Sequence, residues 1–282
     1  MPRRPVLPLM LAGALLTGQS AAAQHSTMPE CGGETPCPVV LADGDTGQYY
    51  LAPPPGWDGE RPLPVIVWFH GYRGSGLNGI RNEGLVGGWT GEGYLFVAAD
   101  GRDNTWAHQG SPSQARDDAL YVEAVIADIM ARFPVDEERV VAAGFSQGGS
   151  MVWSVACFVG PPFTHYAPVS GAFWEPLPEA CLDGPIAMRH VHGTGDTVVP
   201  IAGRPIGGSW HQGDLFEGLG VLGPAHDCAV TPDGAPFGVG DATCERYGCA
   251  AGAIEICLHD GGHGVPAGWS PATRAWIEDT AG

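Results

Sequence analysis

The segment Gly144-Phe145-Ser146-Gln147-Gly148 constrains this chain more than any other. It follows the apolar run Val140-Val141-Ala142-Ala143 and leads into Gly149-Ser150-Met151-Val152-Trp153. A strand that turns sharply into a helix, with a serine at the apex, fits that order of residues. The flanking glycines let strand and helix approach closely, so the apex residue can hold a strained backbone. In a chain with 44 glycines the pattern Gly-x-Ser-x-Gly says little by itself. Its setting between an apolar strand and a helical pattern is what gives it content. Such a turn lifts the Ser146 hydroxyl out of the sheet and leaves the N–H of Gln147 facing the same space.

A serine hydroxyl is a poor nucleophile at neutral pH. It needs a base, and the base needs an acid to orient it. After a strand–turn–helix serine, the acid and then the histidine follow along the chain. Two later segments fit. Residues 185–192 read as a buried strand running into Gly193-Thr194-Gly195-Asp196, so Asp196 sits just past a strand end. Residues 253–258 read as a strand leading into Asp260-Gly261-Gly262-His263-Gly264. The predicted relay is Ser146, Asp196 and His263. Asp183, Asp214 and Asp260 are rivals for the acid, and His259 for the base. Asp260 is so near His263 that it is better suited to shaping the turn, and only His263 is bracketed by glycines.

Two N–H donors are needed for a developing oxyanion. One is the backbone of Gln147. The other belongs to the loop after the early strand 63–69, in His70-Gly71-Tyr72-Arg73-Gly74. The Tyr72 backbone is assigned to it, with Gly71 as the near alternative. Trp106, in the loop after the strand at 94–99, is a candidate to stack on an aromatic acyl group or a sugar. A loop aromatic covering the core is the competing account. His190 and His192 share one strand face, but no third ligand has metal spacing. Asp43-Gly44-Asp45 lacks the remaining ligands of a calcium loop. No metal and no cofactor are expected.

The remaining composition sets bounds. Arg3 and Arg4, a short apolar stretch from Val6 to Leu16 and Ala21-Ala22-Ala23 read as an export signal over 1–23, leaving 24–282 as one domain. The apolar stretch is shorter than the roughly 20 residues of a membrane span. The chain carries 31 acidic residues against 13 basic ones, all arginine, for a net charge of −18. That balance argues against nucleic acid and anionic membrane as partners; a monomer is expected. Eight cysteines, all beyond residue 23, suggest disulfides in an exported chain. Cys157 with Cys181 would tie the helix after the serine to the entry of the next strand, and Cys31 with Cys37 would close a short loop. Cys228, Cys244, Cys249 and Cys257 would cross-link the region ahead of His263, in a pairing the sequence leaves open.

Apolar runs at 47–52, 63–69, 94–99, 139–145, 164–169, 185–192 and 253–258 predict strands. The clearest helix runs from Asp117 to Phe133, with Tyr121, Val125 and Ile129 on one stripe. Helices are also predicted from Gly148 to Phe158, Ser209 to Leu219 and Pro271 to Asp279. Strands alternating with helices imply an α/β fold: a mostly parallel central sheet covered on both faces, with ligands beyond the carboxyl ends of the strands. Every proposed catalytic residue falls there.

The stretch from Asp117-Asp118 through Phe133-Pro134-Val135-Asp136 to Gly144-Phe145-Ser146-Gln147-Gly148-Gly149-Ser150-Met151 resembles the secreted carbohydrate esterases of the α/β-hydrolase superfamily. That group includes feruloyl esterases, acetyl xylan esterases and extracellular polyhydroxybutyrate depolymerases. His192-Gly193-Thr194-Gly195-Asp196-Thr197-Val198-Val199-Pro200 is similar to the group's acid loop, and Asp260-Gly261-Gly262-His263 to its histidine loop. The form of that loop before Pro266 leans toward feruloyl esterases. Depolymerases often carry Cys where this chain has Tyr72. The resemblance covers roughly residues 45–279. It implies the α/β-hydrolase fold and a secreted serine esterase that releases hydroxycinnamic acids from plant cell-wall polysaccharide. Acetyl xylan and polyhydroxyalkanoate esters are the alternatives. Of another class is a non-catalytic carbohydrate-binding protein on the same fold, against which the intact Ser, Asp and His argue.

Overall fold

The computed structural model describes residues 31–281; the expected export signal lies outside them. In chain order the elements are β1 (Cys37–Val40), β2 (Thr46–Ala52), β3 (Leu63–Phe69), α1 (Gly76–Ile80), α2 (Glu83–Thr90), β4 (Leu95–Ala99), α3 (Asp118–Arg132), β5 (Val135–Phe145) and α4 (Gln147–Phe158). There follow β6 (His165–Val169), β7 (Trp174–Glu175), β8 (Ile186–Gly193), β9 (Arg204–Ile206), β10 (Trp210–Gln212), α5 (Leu215–Ala225), β11 (Phe237–Val239), β12 (Ala242–Gly248), β13 (Gly252–His259) and α6 (Trp269–Thr280). Ten strands form one sheet in the order β1-β2-β4-β3-β5-β6-β8-β13-β12-β11, and β7, β10 and β9 form a small second sheet. The block from β4 to β13 is parallel. Antiparallel strands close both ends.

Period-two alternation decides which side chain goes to which face. On β3, Val65, Val67 and Phe69 join one core, with the buried side chains of α3, α4 and α5. Ile66 and Trp68 join the other, with Ile80 of α1, Trp89 of α2, and Trp269, Trp276 and Ile277 of α6. Strands β4 and β5 divide in the same way: Val97 and Ala142 face the first core, Phe96 and Val141 the second. The long central strands are therefore apolar throughout, as strands covered on both faces must be.

Asp117 caps α3 by accepting the N–H of Ala119 and Leu120, and the helix ends at Phe133 before Pro134. The expected helix at Ser209–Leu219 is displaced. Trp210–Gln212 is a strand paired with β7 and β9, and α5 starts only at Leu215. Asp214 is spent as its cap, accepting from Phe216 and Glu217.

Disulfides join Cys31 to Cys37, Cys157 to Cys181, Cys228 to Cys249 and Cys244 to Cys257. Cys244 and Cys257 face each other across β12 and β13, so the strand that leads to His263 is stapled to its neighbour. Four disulfides fit an oxidising compartment.

Candidate active site

Ser146 stands between β5 and α4 with φ 59° and ψ −123°, a conformation that non-glycine residues seldom adopt. Close packing holds it there. A Cβ at Gly148 would overlap the Phe69 carbonyl, and one at Gly144 the Gly148 carbonyl. The N–H of Ser146 is tied to the Val169 carbonyl of β6 at 2.9 Å.

Asp196 lies past the end of β8 and His263 past the end of β13. The His263 Nδ1–H donates to Asp196 Oδ2 at 2.6 Å, because an ionised carboxylate only accepts. That leaves Nε2 as the acceptor for the Ser146 hydroxyl, at 2.9 Å. The His263 ring also rests against Phe145, with centroids 4.7 Å apart. Residues up to 117 positions apart thus form one hydrogen-bonded line.

The Asp196 side chain is buried. Burial pushes its carboxyl up. The bond from His263 and the N–H groups of Val199 and Val198, each 2.8 Å from Oδ1, outweigh that and hold it below the usual carboxylate value. The rival acids are accounted for otherwise: Asp183 and Asp260 are exposed, and Asp214 caps α5. His259 shapes its own turn by accepting the Gly261 N–H.

The loop after β3 abuts the serine: a Cβ at Gly71 would come 3.3 Å from that of Ser146. The Gly71 carbonyl accepts from Gly74 at 2.9 Å and from His70 Nδ1 at 2.8 Å. In a trans peptide the N–H of Tyr72 then points the opposite way. No acceptor among the described residues takes the N–H of Tyr72 or of Gln147. The Gln147 side chain is occupied by Thr105, its Nε2 donating to Thr105 Oγ1 at 2.8 Å.

Trp106 is a correction. It is fully buried, edge-on to Phe69 and beside Tyr121, so it has no face to offer a ligand. Its Nε1–H donates to the His70 carbonyl at 2.7 Å and so steadies the loop that carries Tyr72. His70 is likewise a support, since its Nε2 accepts from Gly101 at 3.0 Å.

The sequence reading missed three contributors. Thr105, and the backbone N–H groups of Val198 and Val199, carry no residue signature that announces their role. The third is an exposed rim. Tyr72, Val198 and Val265 are among the large apolar side chains left exposed, and they sit on the donor, acid and base loops respectively. Beside His263, an open depression of about 260 Å³ is lined by Gly262, Gly264, Val265 and Pro266.

This sheet order, with an elbow serine and a hydrogen-bonded acid and imidazole beyond the strand ends, is the α/β-hydrolase fold, and the chain is a carboxylic ester hydrolase. No protein-family model matches it. Among curated proteins it resembles the "Probable feruloyl esterase C" of Aspergillus terreus, 29% identical over 273 residues that span 93% of this chain and 92% of that one. It also resembles the feruloyl esterase C of Emericella nidulans, 26% identical over 278 residues, 95% of this chain and 94% of that one. Among solved structures, the acetyl xylan esterase of Aspergillus awamori superposes with a TM-score of 0.61 at 11% identity, over 82% of this chain and 93% of that one, which speaks for the fold.

Proposed function

We propose that this chain is an exported serine esterase that releases hydroxycinnamic acids from plant cell-wall polysaccharide. Ser146 attacks the ester carbonyl while His263 Nε2 takes the hydroxyl proton. Asp196 holds the imidazole and stabilises its charged form. The N–H groups of Tyr72 and Gln147 receive the oxyanion. His263 then gives its proton to the departing sugar alcohol, and a water activated by the same nitrogen frees the acid. The balance is ester plus water to acid plus alcohol, with no cofactor. The enzyme works as a monomer on polymer-linked esters. Its strong negative charge disfavours nucleic acid and anionic membranes.

The observation that carries the catalytic reading is the unbroken line from Ser146 Oγ through His263 to Asp196. The acyl preference is supported by the two relatives and by the apolar rim, which suits an aromatic acid better than acetate. A panel of methyl ferulate, acetylated xylan and polyhydroxybutyrate tests it. Methyl ferulate is expected to give the highest kcat/KM; a clear preference for either of the others contradicts the assignment. Tyr72→Ala is expected to raise KM for methyl ferulate by about 2–10-fold, the worth of one aromatic contact. It should leave KM for a short acetyl ester unchanged.

A further inference from the structure

The first core holds a polar chain that the mechanism above does not use. Trp153 on α4 and His190 and His192 on β8 are all fully buried. Trp153 Nε1 lies 3.2 Å from His190 Nδ1, His190 Nε2 lies 2.9 Å from His192 Nδ1, and His192 Nε2 lies 2.8 Å from the Val199 carbonyl. An indole nitrogen only donates. His190 Nδ1 must therefore accept, which puts the His190 proton on Nε2. His192 Nδ1 accepts in turn, which puts its proton on Nε2. The two ends agree, because the Val199 carbonyl only accepts. Each imidazole is thus confined to one tautomer, and every bond in the chain runs the same way.

The chain ends on the acid. Val199 accepts from His192 at its carbonyl and donates to Asp196 Oδ1 at its N–H, 2.8 Å away, through the two peptide groups that flank its Cα. His192 Nε2 also lies 3.5 Å from Asp196 Oδ2, the oxygen that binds His263. The other end is anchored in α4, the helix that starts at Ser146. A closed circuit results: Ser146, α4, Trp153, His190, His192, Val199, Asp196, His263 and back to Ser146. Burial holds both imidazoles neutral, His190 further pushed down by His192. Buried polar groups bonded at every step restrict a core to one arrangement more sharply than apolar packing does.

We infer that Trp153, His190 and His192 are positioning residues that lock the acid loop to the nucleophile's helix and aim a neutral N–H at Asp196. This rests on the reading of Ser146, His263 and Asp196 given above. With the indole proton gone, His190 is free to reverse its tautomer. His192 then turns a bare nitrogen toward Val199 and Asp196.

The test compares Trp153→Phe, His192→Leu and His192→Gln with the wild type. It measures kcat and KM on methyl ferulate and the downfield proton signal of the His263–Asp196 bond. Glutamine keeps an N–H near the position of Nε2, and leucine does not. His192→Leu is expected to lose kcat on the order of 10–10²-fold at near-constant KM, as misplacing a reacting group does. It should also shift or broaden the downfield signal. His192→Gln should recover most of both, and Trp153→Phe should fall between. The inference is overturned if His192→Leu keeps wild-type kcat and signal. It is also overturned if Gln and Leu are equally impaired in stability alone. Should His192→Leu fail to fold, a wild-type kcat and signal in Trp153→Phe overturns it. A fluorophosphonate probe separates the two readings. A wild type that does not label at Ser146 sinks the catalytic assignment itself. Labelling with indifferent variants sinks only the network.

Discussion

Asp196 shows how a buried carboxylate stays charged. Two backbone N–H groups and an imidazole N–H outweigh the cost of burial, so the group reaches neutral pH ionised and fixed in place. In Asp196→Asn an amide N–H2 competes for the place of the accepting oxygen and favours the wrong His263 tautomer. The expected result is a fall in kcat of about 10⁴ with a native circular dichroism spectrum. An activity within tenfold of wild type contradicts this account of Asp196. That Ser146, Asp196 and His263 would meet was legible in the sequence because each stands in a short motif at a strand end. Trp106 was not. Whether an aromatic after a strand faces solvent or core depends on Phe69, His70 and Tyr121, which come from other elements.

Among the elements, α3 was read to within a residue at each end, because its apolar stripe, its Asp117 cap and Pro134 are all local. Replacing Asp117 by Ala is expected to cost about 1 kcal/mol in chemical denaturation and to leave kcat unchanged, since the cap is remote from the relay. The start of α5 was misplaced because Trp210–Gln212 pairs with β7, a partner far away in sequence. The edge strands β1 and β11 escaped for the same reason: short runs become strands only through the neighbour that binds them. Cysteine counting placed four residues around the approach to His263 but not their partners. The registry of β12 with β13 decides that pairing. Replacing Cys244 and Cys257 together by Ala should lower stability by roughly 2–4 kcal/mol. Unfolding with and without reductant measures it, and a wild-type midpoint in the double variant contradicts the staple.

Across the whole molecule, the α/β class was legible from alternating apolar runs, whereas the strand order and the circuit behind Asp196 were not. Among the described residues, burial pushes five histidines below their ordinary value: His70, His190 and His192, and His108 and His165, the last two down to about 4. The unfolded chain binds protons on these groups below pH 6.5 while the folded chain does not, so their contribution is complete above 6.5. It is lost as the pH falls through the folded values, about 4 for His108 and His165. Denaturation midpoints at pH 7.5, 6 and 5 should decline in that order, and a flat profile down to pH 5 contradicts the burial of these imidazoles. The proposed activity requires that the serine, imidazole and carboxylate brought from three strand ends into one hydrogen-bonded line make Ser146 a nucleophile. Mass spectrometry after brief exposure to a fluorophosphonate tests that most directly. A single adduct on the Ser146 peptide is expected, lost in Ser146→Ala, in His263→Ala and in the urea-unfolded chain. No adduct, or an adduct that survives Ser146→Ala, would contradict it.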